Sequence, residues 1–282
     1  MKISEKFTKL KDNQEKALII YLSLGDPNIE DSTKAVQRCI DAGADIIELG
    51  LPFSDPIADG GTIQRASQRS LSSGMNTDSY FESARKIHEK NPQVPLVCMT
   101  YYNLPFHFGL SKFAENCAQS GITGIIIPDL PVEESEPFHL ECKKHGVDLI
   151  FLVAPTTTED RMDKILSVCS GFVYVVSLAG VTGARGGVES MSKNLEELLR
   201  IVKNKTEIPV CVGFGVSKRS DVERISGFGA DGVIVGSAVI DVIENHISNC
   251  KVENEQAFSD LEKFIRELKK GTMKKAEIVI EC

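Results

Sequence analysis

Several things are missing from this 282-residue sequence, and each absence closes off a class of protein. No apolar run approaches the roughly 18 residues a helix needs to cross a membrane. The first sixteen residues, Met1 to Lys16, alternate charge with Ile3, Phe7 and Leu10 and hold no apolar signal-peptide region. They read as a short amphipathic helix that caps one end of the fold. No C-x-x-C pair occurs among the eight cysteines, Cys39, Cys98, Cys117, Cys142, Cys169, Cys211, Cys250 and Cys282. Cysteines spread so thinly do not make a disulfide scaffold, so free thiols in a reducing compartment, the cytoplasm, are expected. Cys98 and Cys211 lie inside apolar runs and read as small core residues. Positive charge is in deficit, with a formal net charge of -8. That argues against nucleic acid as a partner. It leaves an anionic substrate open, because backbone N–H groups at a helix start can hold a phosphate. The five histidines, His88, His107, His139, His145 and His246, do not cluster with acids at metal-ligand spacing, so no metal site is expected. No low-complexity linker interrupts the chain, and residues 1–282 are expected to form one domain.

What is present suits a globular enzyme. Hydrophobic residues make up 42% and charged residues 26%, enough apolar material for a large core. Eight short aliphatic runs read as strands: Ala17–Ser23, Asp45–Leu49, Val94–Thr100, Gly124–Ile127, Val147–Val153, Phe172–Ser177, Ile208–Gly213 and Asp231–Val235. Their apolar character is nearly continuous, as for parallel strands buried on both faces. Amphipathic stretches long enough for helices lie between them, such as Ile29–Asp41, Asp78–Lys90, Leu110–Ser120, Glu133–Lys144 and Asn194–Lys203. A similar phrase recurs where helix gives way to strand. It appears as Asp41-Ala42-Gly43-Ala44-Asp45, Ser120-Gly121-Ile122-Thr123, His145-Gly146-Val147-Asp148 and Gly227-Phe228-Gly229-Ala230-Asp231. Eight alternating units close most simply into an α/β fold, a single (β/α)8 TIM barrel with an N-terminal capping helix and extra helices. The chain is also close to the roughly 250 residues typical of that barrel. An open doubly wound sheet is the rival, but the turn after the first strand, Ser23-Leu24-Gly25-Asp26-Pro27, lacks the Gly-x-Gly-x-x-Gly pattern. Near the C-terminus Ala257–Lys269 reads as a helix. The tail from about residue 270 to 282 contains Glu277-Ile278-Val279-Ile280, read either as an extra packing strand or as a disordered end.

Catalytic groups of such a barrel come from the C-terminal ends of strands and the loops that follow. Glu48 ends the second strand, and a glutamate inside an apolar strand is costly unless it is paired or functional. Burial there should raise its pKa and suit it to giving and taking protons near neutral pH. The next loop is stiff with Pro52 and Pro56 and carries Asp55 and Asp59. Asp55, directly before Pro56, fits a turn residue. Asp59 shares the short loop with Glu48 and is placed to face the same pocket. Three glycine turns follow late strands: Gly180 to Gly187, Gly213-Phe214-Gly215, and Gly236-Ser237. Barrels often bind phosphate with the loops after strands seven and eight, so a phosphorylated substrate is expected, ordinary strand-to-helix turns being the alternative. The glycine-rich loop from Leu178 to Ser190 reads as a mobile lid. Tyr21, Tyr101 and Tyr174 stand at strand ends, where tyrosines line pockets and also serve as core-edge residues.

The segment from Leu49 to Gly60, Leu-Gly-Leu-Pro-Phe-Ser-Asp-Pro-Ile-Ala-Asp-Gly, closely resembles the signature of the tryptophan synthase alpha chain family. Tyr21 to Pro27, Pro128-Asp129-Leu130-Pro131, Gly180-Val181-Thr182-Gly183, Gly213-Phe214-Gly215 and Gly236-Ser237 follow in the family's order, so the resemblance spans about Phe7 to Leu268. It implies retro-aldol cleavage of indole-3-glycerol phosphate to indole and glyceraldehyde 3-phosphate. It casts Glu48 as the general acid/base and Asp59 as the carboxylate that accepts the indole N–H. It places Tyr21, Tyr101 and Tyr174 around the substrate, and Thr182 as the lid residue that meets Asp59. Gly183, Phe214, Gly215, Gly236 and Ser237 would form the phosphate cradle. It implies no cofactor in this chain, and a beta-chain partner that carries pyridoxal phosphate in an alpha2-beta2 heterotetramer. The loops holding Pro52, Asp55, Asn103 and Phe106 would be the contact surface. Gly61 and the lid end Arg185-Gly186-Gly187 depart from the commonest family pattern. A stand-alone lyase, another phosphate-binding barrel such as a sugar-phosphate isomerase, and a non-enzymatic regulatory subunit are the rival readings.

Overall fold

The computed structural model describes residues 1–176, 188–213, 215–248, 251–252 and 255–273. Nine strands form one parallel sheet: β1 Ala17–Ser23, β2 Ile46–Gly50, β3 Leu96–Met99, β4 Ile122–Ile126, β5 Asp148–Ile150, β6 Leu152–Val153, β7 Val173–Val176, β8 Val210–Gly213 and β9 Gly232–Val235. Their spatial order is β5-β4-β3-β2-β1-β9-β8-β7-β6. Only Phe151 separates β5 from β6, so the two ends of the sheet are adjacent in the chain and the sheet curls into a barrel. The run Val147–Val153, expected as one strand, is thus two short halves. β5 pairs with β4, β6 with β7, and the Phe151 carbonyl accepts the Tyr174 N–H at 3.0 Å between them.

Side chains divide by strand parity. Ala17, Ile19, Ile46, Val97, Ile126, Ile150, Phe172, Cys211 and Ile234 fill the barrel interior. Their neighbours on the opposite face, such as Leu18, Ile20, Ile47, Leu49, Val212 and Val235, pack in the outer core with the helices. This two-sided burial explains why the strands read as unbroken apolar runs. The N-terminal helix, Ile3–Asp12, inserts Ile3, Phe7 and Leu10 into the interior cluster and closes the end opposite the strand C-termini.

The recurring helix-to-strand phrase has a structural cause. Gly43, Gly121, Gly146 and Gly229 all have positive φ, so the chain turns where a side chain would be strained. The aspartates that follow satisfy a neighbouring strand. Asp45 accepts the Leu18 N–H at 2.9 Å and Asp231 accepts the Val210 N–H at 3.0 Å. Lys269 in turn reaches Asp45 at 2.8 Å, joining the C-terminal helix Glu255–Lys270 to the barrel floor.

Five further helices, not named individually from the sequence, complete the fold: Gly61–Ser72, Asn103–Phe108, Glu159–Val168, Arg219–Gly227 and Ser237–Glu244. The stretch Glu133–Lys144 resolves into a short 3-10 turn, Val132–Glu134, followed by a helix from Glu136 to His145 that begins around Pro137. Among the described residues no helix is long and apolar enough to cross a membrane. The run Glu277–Ile280 lies outside the described residues.

Candidate active site

Strand parity puts Glu48 inside the barrel. Ile46, two residues before it on β2, belongs to the interior cluster, and Ile47 and Leu49 to the outer core. Glu48 is 1% exposed, and its Oε2 is buried with no hydrogen-bond partner among the described residues. An isolated carboxylate in such a place would be strongly disfavoured, so the group favours its neutral form. Burial first, and the nearby charge of Asp59 second, push its pKa from an ordinary 4.5 up to about 8. A carboxyl of that acidity is protonated at neutral pH and still able to release its proton.

Asp59 stands at the far end of the loop, half-buried, one residue before the N-cap of the helix Gly61–Ser72. Its pKa is pushed up to about 6 by burial, against a hydrogen bond from the Tyr101 hydroxyl that lowers it. The same Tyr101 oxygen accepts the Ala58 N–H at 3.0 Å, and its ring stacks on Phe53 with centroids 5.5 Å apart. Tyr101 therefore fastens the loop at both its start and its end. The two carboxyls are pushed to different degrees, so a pH range exists where Glu48 holds its proton and Asp59 has lost its own.

Tyr21 and Tyr174 complete the chamber. Burial raises the pKa of each phenol, and the charges of Asp59 and Glu48 raise both further, which sets all four groups around one space. Tyr21 stands beside Glu48 in the β1–β2 register, and Tyr174 beside Cys211 in the β7–β8 register. The seats of these rings are made by two glycines whose role the sequence does not reveal. A Cβ on Gly50 would collide with the Tyr21 hydroxyl, and a Cβ on Gly213 with the Tyr174 hydroxyl. Ser23, inward on β1 by the same alternation, has its Oγ buried and without a partner among the described residues.

Gly213→Ala is therefore expected to push Tyr174 from its seat and to destabilise the fold by about 1–3 kcal/mol, the usual cost of overpacking. Adding Tyr174→Ala removes the whole colliding ring, hydroxyl and ring carbons alike, so the double variant should lose less than the sum of the two single changes. Urea unfolding of the two single variants and the double variant checks this, and simple additivity of the two changes would contradict it.

At the mouth of the barrel Gly236 is half-buried and Gly215 and Ser237 are exposed. Gly236 is the N-cap of the helix Ser237–Glu244, whose first turn carries no acidic residue. Such a helix start suits an anion, since unpaired N–H groups and the helix dipole both favour negative charge. Thr182, Gly183, most of the glycine-rich loop and Phe214 lie outside the described residues. Of the expected partner-facing residues, Asp55 and Asn103 are exposed and Phe106 is 65% exposed, whereas Pro52 is buried within the chain. Ile57, not singled out by the sequence, is 84% exposed in the same loop as Asp55. Among the described residues no group of three or more His, Cys, Asp or Glu is placed to hold a metal ion.

The family model described as tryptophan synthase alpha chain matches residues 7–273. A tryptophan synthase alpha chain of Methanocaldococcus jannaschii is 51% identical, the match covering 100% of this chain and 99% of that one. One from Methanosarcina mazei is 51% identical over 96% of this chain and 94% of its own. The crystal structure of tryptophan synthase subunit alpha from Legionella pneumophila superposes with a TM-score of 0.86 at 31% identity, covering 96% of this chain and 97% of that one.

Proposed function

Since the chain belongs to the tryptophan synthase alpha chain family, a lyase that cleaves indole-3-glycerol phosphate in tryptophan biosynthesis, we propose how its own residues divide that work. The observation that carries the assignment is the unpaired, inward-facing carboxyl of Glu48 beside Asp59.

Cleavage of the bond between indole C3 and the glyceryl chain needs the ring to accept an electron pair. Glu48, protonated at neutral pH, delivers its proton to C3, and the ring becomes a cationic indolenine. Asp59, ionised above about pH 6, accepts a hydrogen bond from the indole N–H and stabilises that positive charge where it develops. The Glu48 carboxylate then takes the proton of the hydroxyl on the adjacent carbon. As that carbon becomes the aldehyde of glyceraldehyde 3-phosphate, the C–C electron pair returns to the ring and indole leaves. Glu48 ends protonated, as it began. Tyr21, Tyr101 and Tyr174 wall the indole, and Tyr101 also holds Asp59 in place. Gly215, Gly236 and Ser237, with Gly183 and Phe214, receive the phosphate, and Thr182 meets Asp59 as the loop closes.

The exposed apolar side chains Ile57 and Phe106 stand beside Asp55 and Asn103 and form a surface for a beta chain in an alpha2-beta2 assembly. Indole passes to that partner, which holds pyridoxal phosphate, while this chain needs no cofactor of its own. The reaction belongs in the cytoplasm, and residues 1–282 work as one domain. Continuous assay of indole formation tests the reading. The isolated chain should turn over indole-3-glycerol phosphate slowly, and a beta chain should accelerate it. Turnover that a beta chain leaves unchanged would favour a stand-alone lyase.

A further inference from the structure

One face of the helix Gly61–Ser72 carries Thr62, Arg65 and Arg69, spaced three and four residues apart so that they lie in a row. The row is bonded to the helix Ser237–Glu244. Thr62 Oγ1 donates to Asp241 at 3.1 Å, Arg65 holds both oxygens of Glu244 at 2.8 and 2.7 Å, and Arg69 adds a third bond to Glu244 at 2.7 Å. Arg69 also grips both oxygens of Asp26, in the loop after β1, at 2.6 and 2.9 Å. The Asp26 side chain is 1% exposed and that of Arg69 16%. Each helix also leads to the chamber. Gly61–Ser72 begins two residues after Asp59, and Gln64 on it donates to the Asp59 carbonyl at 2.9 Å. Ser237–Glu244 begins at Gly236, the proposed phosphate contact.

Two features of this cluster bear on its geometry. Glu244 is the last residue of its helix, where the helix dipole disfavours an acid. The arginines compensate, and hold its carboxyl well down, to about 2. Asp26 is a buried ion whose desolvation outweighs the help of Arg69, leaving its pKa above the ordinary range. Buried pairs of this kind contribute little net stability and can serve to fix one geometry. A helix of eight residues is about 12 Å long, so a small tilt at Glu244 shifts the Gly236 end.

We propose that Arg69, with Arg65 and Glu244, is a positioning set that fixes the spacing between Asp59 and the phosphate-binding end of the helix Ser237–Glu244, and so makes the enzyme selective for a phosphorylated substrate. The proposal rests on the reading of Gly236 and Ser237 as phosphate contacts. The readout is the ratio of kcat/KM for indole-3-glycerol phosphate to that for unphosphorylated indole-3-glycerol. Glu244→Gln frees the helix end without placing a new charge, and Arg69→Lys keeps the charge but loses the two-pronged grip. Each should lower the ratio about tenfold, as misplacement by a fraction of an ångström can do. Each should also weaken sn-glycerol 3-phosphate binding in calorimetry and leave indole affinity unchanged. Equal losses on both substrates, or an unchanged ratio, would overturn the proposal. Ser237→Asp separates the two ideas, because a carboxylate there repels phosphate. If it lowers the ratio and the other two variants do not, the positioning role alone fails. If it too leaves the ratio unchanged, the phosphate reading falls and takes the proposal with it.

Discussion

Replacing Glu48 by glutamine should lower kcat for indole formation roughly a hundredfold to ten-thousandfold, the range lost with a general acid/base. Glutamine keeps the shape of the side chain, so packing against Tyr21 on the adjacent strand is preserved. It has no proton to deliver to the ring and cannot take one from the hydroxyl. Folding should not suffer, because the substitution replaces a buried group that has an unpartnered oxygen and already favours its neutral form. Binding of sn-glycerol 3-phosphate should also persist. The pH profile supplies a second check. Activity requires Glu48 protonated and Asp59 ionised, so kcat/KM of the native chain should rise through about pH 6 and fall through about pH 8. Near-normal turnover of the glutamine variant would remove Glu48 from the mechanism.

Asp59→Asn should lower the rate roughly a hundredfold to a thousandfold, the usual effect of losing one charge-stabilising group. The amide oxygen still accepts the indole N–H but no longer balances the positive ring. This variant also acts on its neighbour. The Asp59 charge is the second cause of the raised Glu48 pKa, and removing it lets Glu48 ionise more readily. The rising limb near pH 6 should therefore vanish, and the falling limb should move to lower pH. Steady-state profiles of the variant decide this, and a falling limb that stays in place would mean the two carboxyls do not share a chamber.

What the sequence makes legible is what depends on near neighbours. β1 ends where its apolar run ends, because burial on both faces leaves a continuous signal. The glycine–aspartate corners were visible because each is built from adjacent residues. Glu48 could be singled out because one acid in an apolar strand breaks the pattern. The helix Gly61–Ser72 left little trace, since its start is Gly-Gly-Thr and its face is chosen by arginines seeking partners some 175 to 179 residues away. The helix Asn103–Phe108 is short and holds Pro105, which reads as a breaker. Gly50 and Gly213 were visible only as parts of motifs. Their necessity comes from a tyrosine on the adjacent strand occupying the space a Cβ would fill, and nothing local encodes that. The burial of Pro52 and the exposure of Ile57 are likewise decided by how the loop folds back on Tyr101.

Three of the five tyrosines, Tyr21, Tyr101 and Tyr174, surround the carboxyl pair, and the chain contains no tryptophan. The ultraviolet emission of this protein is thus phenol emission, and most of its emitters sit where the reaction takes place. The indole ring of substrate and product is thus the sole indole chromophore in a reaction mixture of the isolated chain. The molecule carries its own optical label at the reacting centre, and a bound indole ring emits against a protein background that has none of the same kind.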